Sequence, residues 1–466
     1  MIHKDSSDLT IERPSVEQRL TEGKSLRNKF PIAKQGDYKP APDRADPVSI
    51  LEEQGKTRLA DLVPIRYARM LTSPFAFLRG AAAIMAADLA AGGPTSGIPV
   101  QCCGDMHVAN FGVFASAERN LIFGINDFDE TLQAPWEWDL KRLVASIVAC
   151  GRFLGANEKL CEKGVRAAVA SYRKRMKEFA QMGNMELWYT TISEKDILKT
   201  LSPAARKGLK KITAKARERT HLQVLGKMTD LVGDKYRLRV NAPFIVRETH
   251  TTTGMPIEEA LQLVLESYFT SIGDDRKYLL QHYQITDVAR KIVGVGSVGT
   301  RCWIIFLTGN SSNDPLFLQV KEAQPSVLEP YLHKSVFSNP GQRVVTGQKL
   351  IQGAPDIFLG YGEMDNGFKF YVRQLRDMKG GVEFDPEKVN LKNLPQYCEL
   401  CAWAMALAHA KSGDSAKISG YAGNSDELDK AMARFAFAYA DQTEKDHKVL
   451  AAAAKSGRIK VASAGS

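Results

Sequence analysis

The chain has 466 residues, of which 44% are hydrophobic and 25% charged, and a formal net charge of +10. That composition suits a soluble globular protein with a sizeable core, and it excludes a disordered or collagen-like chain. The positive balance favours an anionic partner such as a nucleotide, a nucleic acid or a membrane surface, without choosing among them.

Residues 1–45 are polar and punctuated by proline, and read as a mobile arm. The opening run lacks the apolar core of a signal peptide. No apolar stretch approaches the ~20 residues that span a bilayer, so the expectation is a cytoplasmic protein with no membrane span. Helical patterns follow near 47–70 and 75–91. The second is apolar on most faces and should be buried. A short strand at 98–103 leads into Gly104-Asp105, and another at 121–125 leads into Asn126-Asp127. From Trp136 to about 283 the pattern is mostly helical. Within it, a basic run at 205–219 reads as a solvated helix face. It lacks the interleaved aromatics that would argue for nucleic acid. Strands are expected at 288–293, 301–307, 316–320, 356–361 and 368–375, with a helix at 341–352. Helices return at 394–411 and 426–453, before a frayed end. Seven cysteines in mostly apolar surroundings, an odd number, read as reduced thiols in a core. Cys398 and Cys401 form one C-x-x-C, which reads as packing rather than zinc binding.

The run Gly104-Asp105-Met106-His107-Val108-Ala109-Asn110, followed after a strand by Asp127-Phe128-Asp129, carries the chemistry. Singly, Asp105, Asn110 and Asp127 are ordinary turn residues. Together they suit phosphoryl transfer: one Asp orients or deprotonates a hydroxyl, while the Asn and the later Asp hold magnesium against phosphates. Asp129 is a further candidate metal ligand. A metallophosphoesterase also uses Gly-Asp-x-His, but needs a later Asn-His pair and more than the eight histidines present.

About 190 residues later, Gly294, Gly296 and Gly299 complete a G-x-G-x-x-G that includes Ser297. A dinucleotide fingerprint requires a helix after such glycines. Here Cys302-Trp303-Ile304-Ile305-Phe306 reads as a strand, which is the arrangement that covers nucleotide phosphates in protein kinases. Lys321, ending the next strand, is placed to reach phosphate. Glu329 is the candidate acidic partner for that lysine. Gln374, in Tyr371-Val372-Arg373-Gln374-Leu375, is placed where such enzymes join their lobes and meet the adenine.

Two resemblances rest on these residues. The span from about 40 to 450 resembles a bacterial family known as domain of unknown function 2252. Its carriers are Phe-Leu-Arg-Gly-Ala at 77–81, the stretches at 104–112, 126–131 and 135–143, Gly-Val-Gly-Ser-Val-Gly-Thr-Arg at 294–301, and those at 318–323 and 371–380. More distantly, the chain resembles aminoglycoside phosphotransferases and choline kinases. That resemblance implies Asp105 as catalytic Asp, His107 as its loop partner, Asn110 and Asp127 as metal ligands, and Asp139 as a buried brace. It also implies that helices within 136–280 hold the acceptor. Cys103 stands where the first loop His belongs, Arg301 where a valine meets the adenine, and the two halves come in reversed order.

The expectation is an α+β, bilobal, protein-kinase-like fold by circular permutation. A helical lobe at 46–285 precedes a small antiparallel β lobe at 286–378, then C-terminal helices at 379–455 pack on the helical lobe, before a tail at 456–466. The expected activity is an ATP- and Mg²⁺-dependent phosphotransferase acting on a small-molecule hydroxyl. The alternatives are a nucleotide-binding pseudokinase, an AMP-transferring enzyme, or a basic nucleic-acid-binding protein.

Overall fold

The computed structural model describes the chain except residues 1–9, 93, 94, 219, 220, 234, 252, 253, 293, 295, 297, 365, 376, 377 and 464–466. The fold is mixed α+β with several small antiparallel sheets. In chain order the strands are β1 (Pro99–Cys102), β2 (Phe111–Ala115), β3 (Leu121–Ile125), β4 (Leu132–Pro135), β5 (Ile192–Ser193), β6 (Thr229–Val232), β7 (Lys235–Leu238), β8 (Ile245–Val246), β9 (Gln284–Lys291), β10 (Cys302–Thr308), β11 (Pro315–Glu322), β12 (Gly360–Glu363) and β13 (Lys369–Gln374). The largest sheet has the order β12-β13-β11-β10-β9-β8, and β1-β4, β2-β3-β5 and β6-β7 form smaller sheets.

The large sheet is apolar on both faces, which explains the continuous hydrophobic run of β10. Ile304 and Phe306 face a layer containing Val224, Leu225, Met228 and Leu238. Ile305 and Leu307 face Ala260, Val264 and Tyr268 of the helix Ile257–Phe269. The segment 221–280 was expected to belong with the helical part, but much of it packs on this sheet instead. The cause is the two-residue alternation of β10, which presents apolar side chains to both sides and needs both covered.

Helices Trp136–Phe153, Glu158–Ala180, Leu394–Ser412 and Glu427–Lys455 build the main core. Trp136 is fully buried and stacks on Tyr172 at 5.5 Å. The pattern at 75–91 is buried as expected but forms two helices, Pro74–Gly80 and Ala82–Ala91, bent by 78°. The stretch at 47–70 likewise divides into Pro47–Gly55 and Val63–Leu71. Among the described residues no single helix is long and apolar enough to cross a membrane.

Part of the expected mobile arm is a helix, Val16–Lys29. Ser15 and Gln18 close a reciprocal cap at its start, a motif in which the N-cap contributes about 1 kcal/mol. It lies against Ser415–Ala422 at very short range: a Cβ on Gly23 would sit 2.0 Å from the Lys417 carbonyl oxygen, and one on Gly420 2.1 Å from that of Leu20. Arg27 then donates to the carbonyls of Gly420 and Tyr421. Glycine and arginine make this contact, so composition alone gave no sign of it.

All seven cysteines are free and 0% exposed. Burial pushes the thiols of Cys398 and Cys401 up. A disulfide reagent should therefore titrate next to no thiol in the native chain and all seven after denaturation. A pair reacting fast in the native state would overturn the packing assignment of Cys398 and Cys401.

Candidate active site

The loop after β1 is held from behind by Asp139, at the start of the helix Trp136–Phe153. Its Oδ2 accepts the Cys103 amide at 2.7 Å and its Oδ1 the Gly104 amide at 3.0 Å. His409 Nε2 lies 3.2 Å from Oδ2, and the His409 Nδ1 lies 2.8 Å from the Tyr172 hydroxyl. Each of those buried amides would cost about 1–3 kcal/mol if left unpaired. Gly104 has φ +81°, and a Cβ there would stand 2.4 Å from the Glu130 carbonyl oxygen. Glycine is therefore required where the Asp105 and Asp127 loops touch. Cys102, Asp139 and His409 form a buried cluster with potential ligand atoms within 4.8 Å of one another. Both Asp139 oxygens are occupied by protein hydrogen bonds, so the cluster acts as a brace.

Asp105 emerges from this loop toward a large cavity. Arg142 Nε donates to its Oδ1 at 2.6 Å, with Nη2 at 2.5 Å, and Nη2 also donates to the Leu78 carbonyl. His107 Nε2 is 3.8 Å from Asp105 Oδ2. Burial, with Arg79 and Arg142, lowers the His107 pKa to about 4 against the opposing pull of Asp105. His107 is thus neutral at neutral pH.

Asn110 joins the two acidic loops. Its Nδ2 donates to the carbonyls of Asp105 at 3.2 Å and Asp127 at 3.1 Å, which leaves Oδ1 as the atom able to meet a cation. Cys103 donates its thiol to the Asp127 carbonyl at 3.1 Å. Burial and Asp129 hold the Asp127 carboxyl above the usual range, although Lys321 and Arg373 oppose them. Asp129 behaves oppositely. Burial works against its charge, but Lys321 and the Tyr371 hydroxyl, which donates at 2.7 Å, hold its pKa down to about 2.

Lys321 is 2% exposed and pairs with Asp129. Burial disfavours its charge, yet Asp127 and Asp129 hold its pKa above the ordinary lysine value. Glu329 is not its partner. Glu329 Oε1 accepts the Ser326 amide at 3.0 Å and lies 3.8 Å from Arg343 Nε. The helix after β11, Pro340–Ile351, contains no acidic residue, so a carboxylate from the metal loop meets the lysine. Arg343 of that helix instead donates to the carbonyls of Asp129 and Thr131.

The glycine loop joins β9 to β10, which pair antiparallel, as the strand after it required. It rests on the N-terminal helical residues. Leu59 N donates to the Gly299 carbonyl at 2.8 Å, Arg58 Nη1 to that of Val298 at 2.5 Å, and Arg69 Nη1 to that of Gly294 at 2.9 Å. Gly299 has φ +93°, and a Cβ there would meet the Arg58 Cβ at 3.0 Å.

One cavity of about 1340 Å³ is walled by Asp105, His107, Asn110, Asp127, Asp129, Gly294, Gly296 and Glu329. Gly299 and Lys321 are not among its lining residues, and Ser297 lies outside the described residues. Gln374 does not belong to this cavity. It borders a separate one of about 290 Å³, and its amide donates to Asp356. On β13, Tyr371 and Arg373 face the acidic loops, so alternation turns Gln374 away.

Sequence reasoning missed Arg142, Tyr371 and Arg373 as site residues. Arg142 follows Asp139 by three residues, which places both on one helix face. Tyr371 and Arg373 share a strand face by two-residue spacing. It also missed Arg58, Arg66 and Arg79, which line the cavity from the N-terminal helices. Of the stretch 136–280, expected to hold an acceptor, Thr251 lines the cavity and Arg142 reaches its wall through Asp105.

The family model described as "Uncharacterized protein conserved in bacteria (DUF2252)" matches residues 58–453, which include the acidic loops, the glycine loop and Lys321. No curated protein and no solved structure matches the chain. The chain therefore belongs to the DUF2252 family of bacterial proteins.

Proposed function

We propose that this protein is an ATP- and magnesium-dependent phosphotransferase acting on the hydroxyl of a small molecule, with a bilobal kinase-like fold in circularly permuted order. The observation that carries the reading is the single cavity walled by Asp105, Asn110, Asp127 and Asp129 on one side and by Gly294 and Gly296 on the other. Lys321 joins the two sides through Asp129. The sheet order β13-β11-β10-β9, with the glycine loop at the β9–β10 turn and Lys321 on β11, supports the permuted arrangement.

The donors fit magnesium. Asp127, Asp129 and Asn110 offer hard oxygen ligands, and the neighbouring Asn126 Oδ1 is buried without a partner. Those residues would hold the cation, whose contribution is to neutralise phosphate charge. Asp105, fixed by Arg142, takes the acceptor's hydroxyl proton as the acceptor oxygen bonds to the γ-phosphorus and the bond to ADP breaks. Backbone amides of the glycine loop hold the phosphates, and Lys321 acts on them through Asp129, with which it pairs. Most of the rate gain in such a site comes from positioning and charge stabilisation.

Calorimetry with ATP and MgCl₂ tests the reading. The wild type should bind, and Asp127→Ala should lose the magnesium-dependent part, a weakening of roughly tenfold or more. Heat from neither protein would overturn the nucleotide reading, and equal binding by both would remove Asp127 as a ligand. Pyrophosphate rather than ADP as product would move the reading to AMP transfer.

A further inference from the structure

Three arginines, Arg66 fully buried and Arg58 and Arg79 half-buried, line the cavity wall near Asp105. Arg66 is 1% exposed; its Nη2 donates to Gln54 Oε1 and to the Gly80 carbonyl, both at 2.9 Å, while Nε and Nη1 have no partner. Arg79 lies 5.9 Å over the Phe75 ring, and its Nε is likewise unpaired. Arg58 gives Nη1 to the Val298 carbonyl and leaves Nε unpaired. All three line the cavity.

Their surroundings leave positive charge uncompensated. None of the three makes an ion pair among the described residues. Burial holds all three guanidinium pKa values below the ordinary arginine value, and Arg58 adds like-charge repulsion on Arg66. The carboxylates that act on Arg58 and Arg66 include Glu130, and Asp105 acts on Arg79. Neither offsets them fully. Glu130 accepts the Val327 amide, while Asp105 is held by Arg142. Buried guanidinium groups with spare donors are costly unless an oxyanion completes them.

We propose that Arg66 and Arg79, with Arg58 beside the glycine loop, bind a phosphate group carried by the acceptor, so that the substrate is a phosphorylated alcohol whose free hydroxyl is presented to Asp105. The assignment of that hydroxyl rests on the phosphotransferase reading; the anion site itself rests on the arginines alone. The site adjoins the glycine loop, with Arg58 on the Val298 carbonyl and the Arg79 carbonyl oxygen 3.3 Å from a Cβ placed on Gly296, so retention of phosphate binding under saturating ATP is what distinguishes the acceptor's phosphate from those of the nucleotide. A dianion suits several guanidinium groups better than a monocarboxylate does, because its charge and tetrahedral oxygens can serve more than one fork.

The experiment is calorimetric titration of the full chain with inorganic phosphate, alone and with saturating ATP and MgCl₂, and with acetate as comparator. Wild type should bind phosphate in both conditions and more tightly than acetate. Arg79→Gln and Arg66→Gln should each weaken phosphate binding by roughly tenfold or more while ATP binding is retained. Arg66 is deeply packed, so Arg79→Gln carries the test if Arg66→Gln fails to fold. Absence of phosphate binding by the wild type, unchanged binding by the variants, or displacement of phosphate by ATP would each overturn the proposal. Phosphate binding that depends on Arg79 in a protein that never binds ATP would keep the anion site and remove the phosphotransferase reading.

Discussion

Replacing Asp105 with asparagine should leave the binding of ATP and magnesium within about twofold of wild type and lower turnover by about 10²–10⁴-fold, the usual contribution of a positioned general base. The substitution keeps shape and removes basicity. Asp105 is held by Arg142 and lies at the cavity edge with 23% of its side chain exposed. The brace at Asp139 acts on the Cys103 and Gly104 amides and does not touch the Asp105 carboxylate, so the loop should keep its form. Calorimetry reads the binding, and ADP release in a coupled assay reads the turnover, even as slow hydrolysis without the acceptor. Turnover equal to wild type would remove Asp105 from the chemistry. Loss of binding together with turnover would make its role structural.

Lys321→Met should have the largest effect on stability, a loss of about 3–5 kcal/mol at neutral pH, as expected when one partner of a buried ion pair is removed. The ammonium is almost fully buried against Asp129, and methionine fills the space without the charge. The loss should shrink in acid. In the wild type the Asp129 pKa is lowered to about 2. Its stabilising contribution is therefore present above the unfolded value and is lost as pH falls through the folded one. Without the lysine its folded pKa rises above the unfolded value. The variant then recovers stability relative to wild type as pH falls and the carboxyl takes up its proton. Asp127 is raised even with the lysine present, and it should rise further in the variant, so its change adds to the same trend. Urea unfolding at neutral pH and near pH 4.5 should show a narrowing gap. A gap independent of pH would mean the loss comes from packing rather than from the stranded carboxylates.

Much of this site could be read in advance because its parts are short and contiguous. The Asp105 loop and the Asp127 loop are each framed by a strand, and the hydrophobic run of β10 identifies the glycine loop as a turn between strands. What escaped depends on contacts that spacing does not encode. Glu329 is near Lys321 in sequence, but Arg343 and the Ser326 amide engage it. Gln374 lies one residue from Arg373, and alternation alone sends it to another cavity. The helices of 257–280 read correctly as helices, yet their partner, the second face of the sheet, is visible only once both faces of β10 prove apolar. Of the arginines lining the cavity, Arg79 falls in the Phe-Leu-Arg-Gly-Ala stretch, but nothing in the spacing of Arg58, Arg66 and Arg79 groups them. They come together only in the fold, beside the glycine loop, whose Val298 carbonyl Arg58 meets.

The link between Asp139 and His409 spans 270 residues. A ribosome adding roughly 5–20 residues each second needs about 15–50 s to cover that distance. During that interval the nascent chain holds its acidic loops without the histidine that completes their support, and until β11 is made it also lacks the lysine that pairs with Asp129. The cleft can therefore close only late in synthesis. A chain interrupted before the helix Leu394–Ser412 would carry every acidic residue of the site in an unfinished cradle, exposed to chaperones and proteases rather than to substrate.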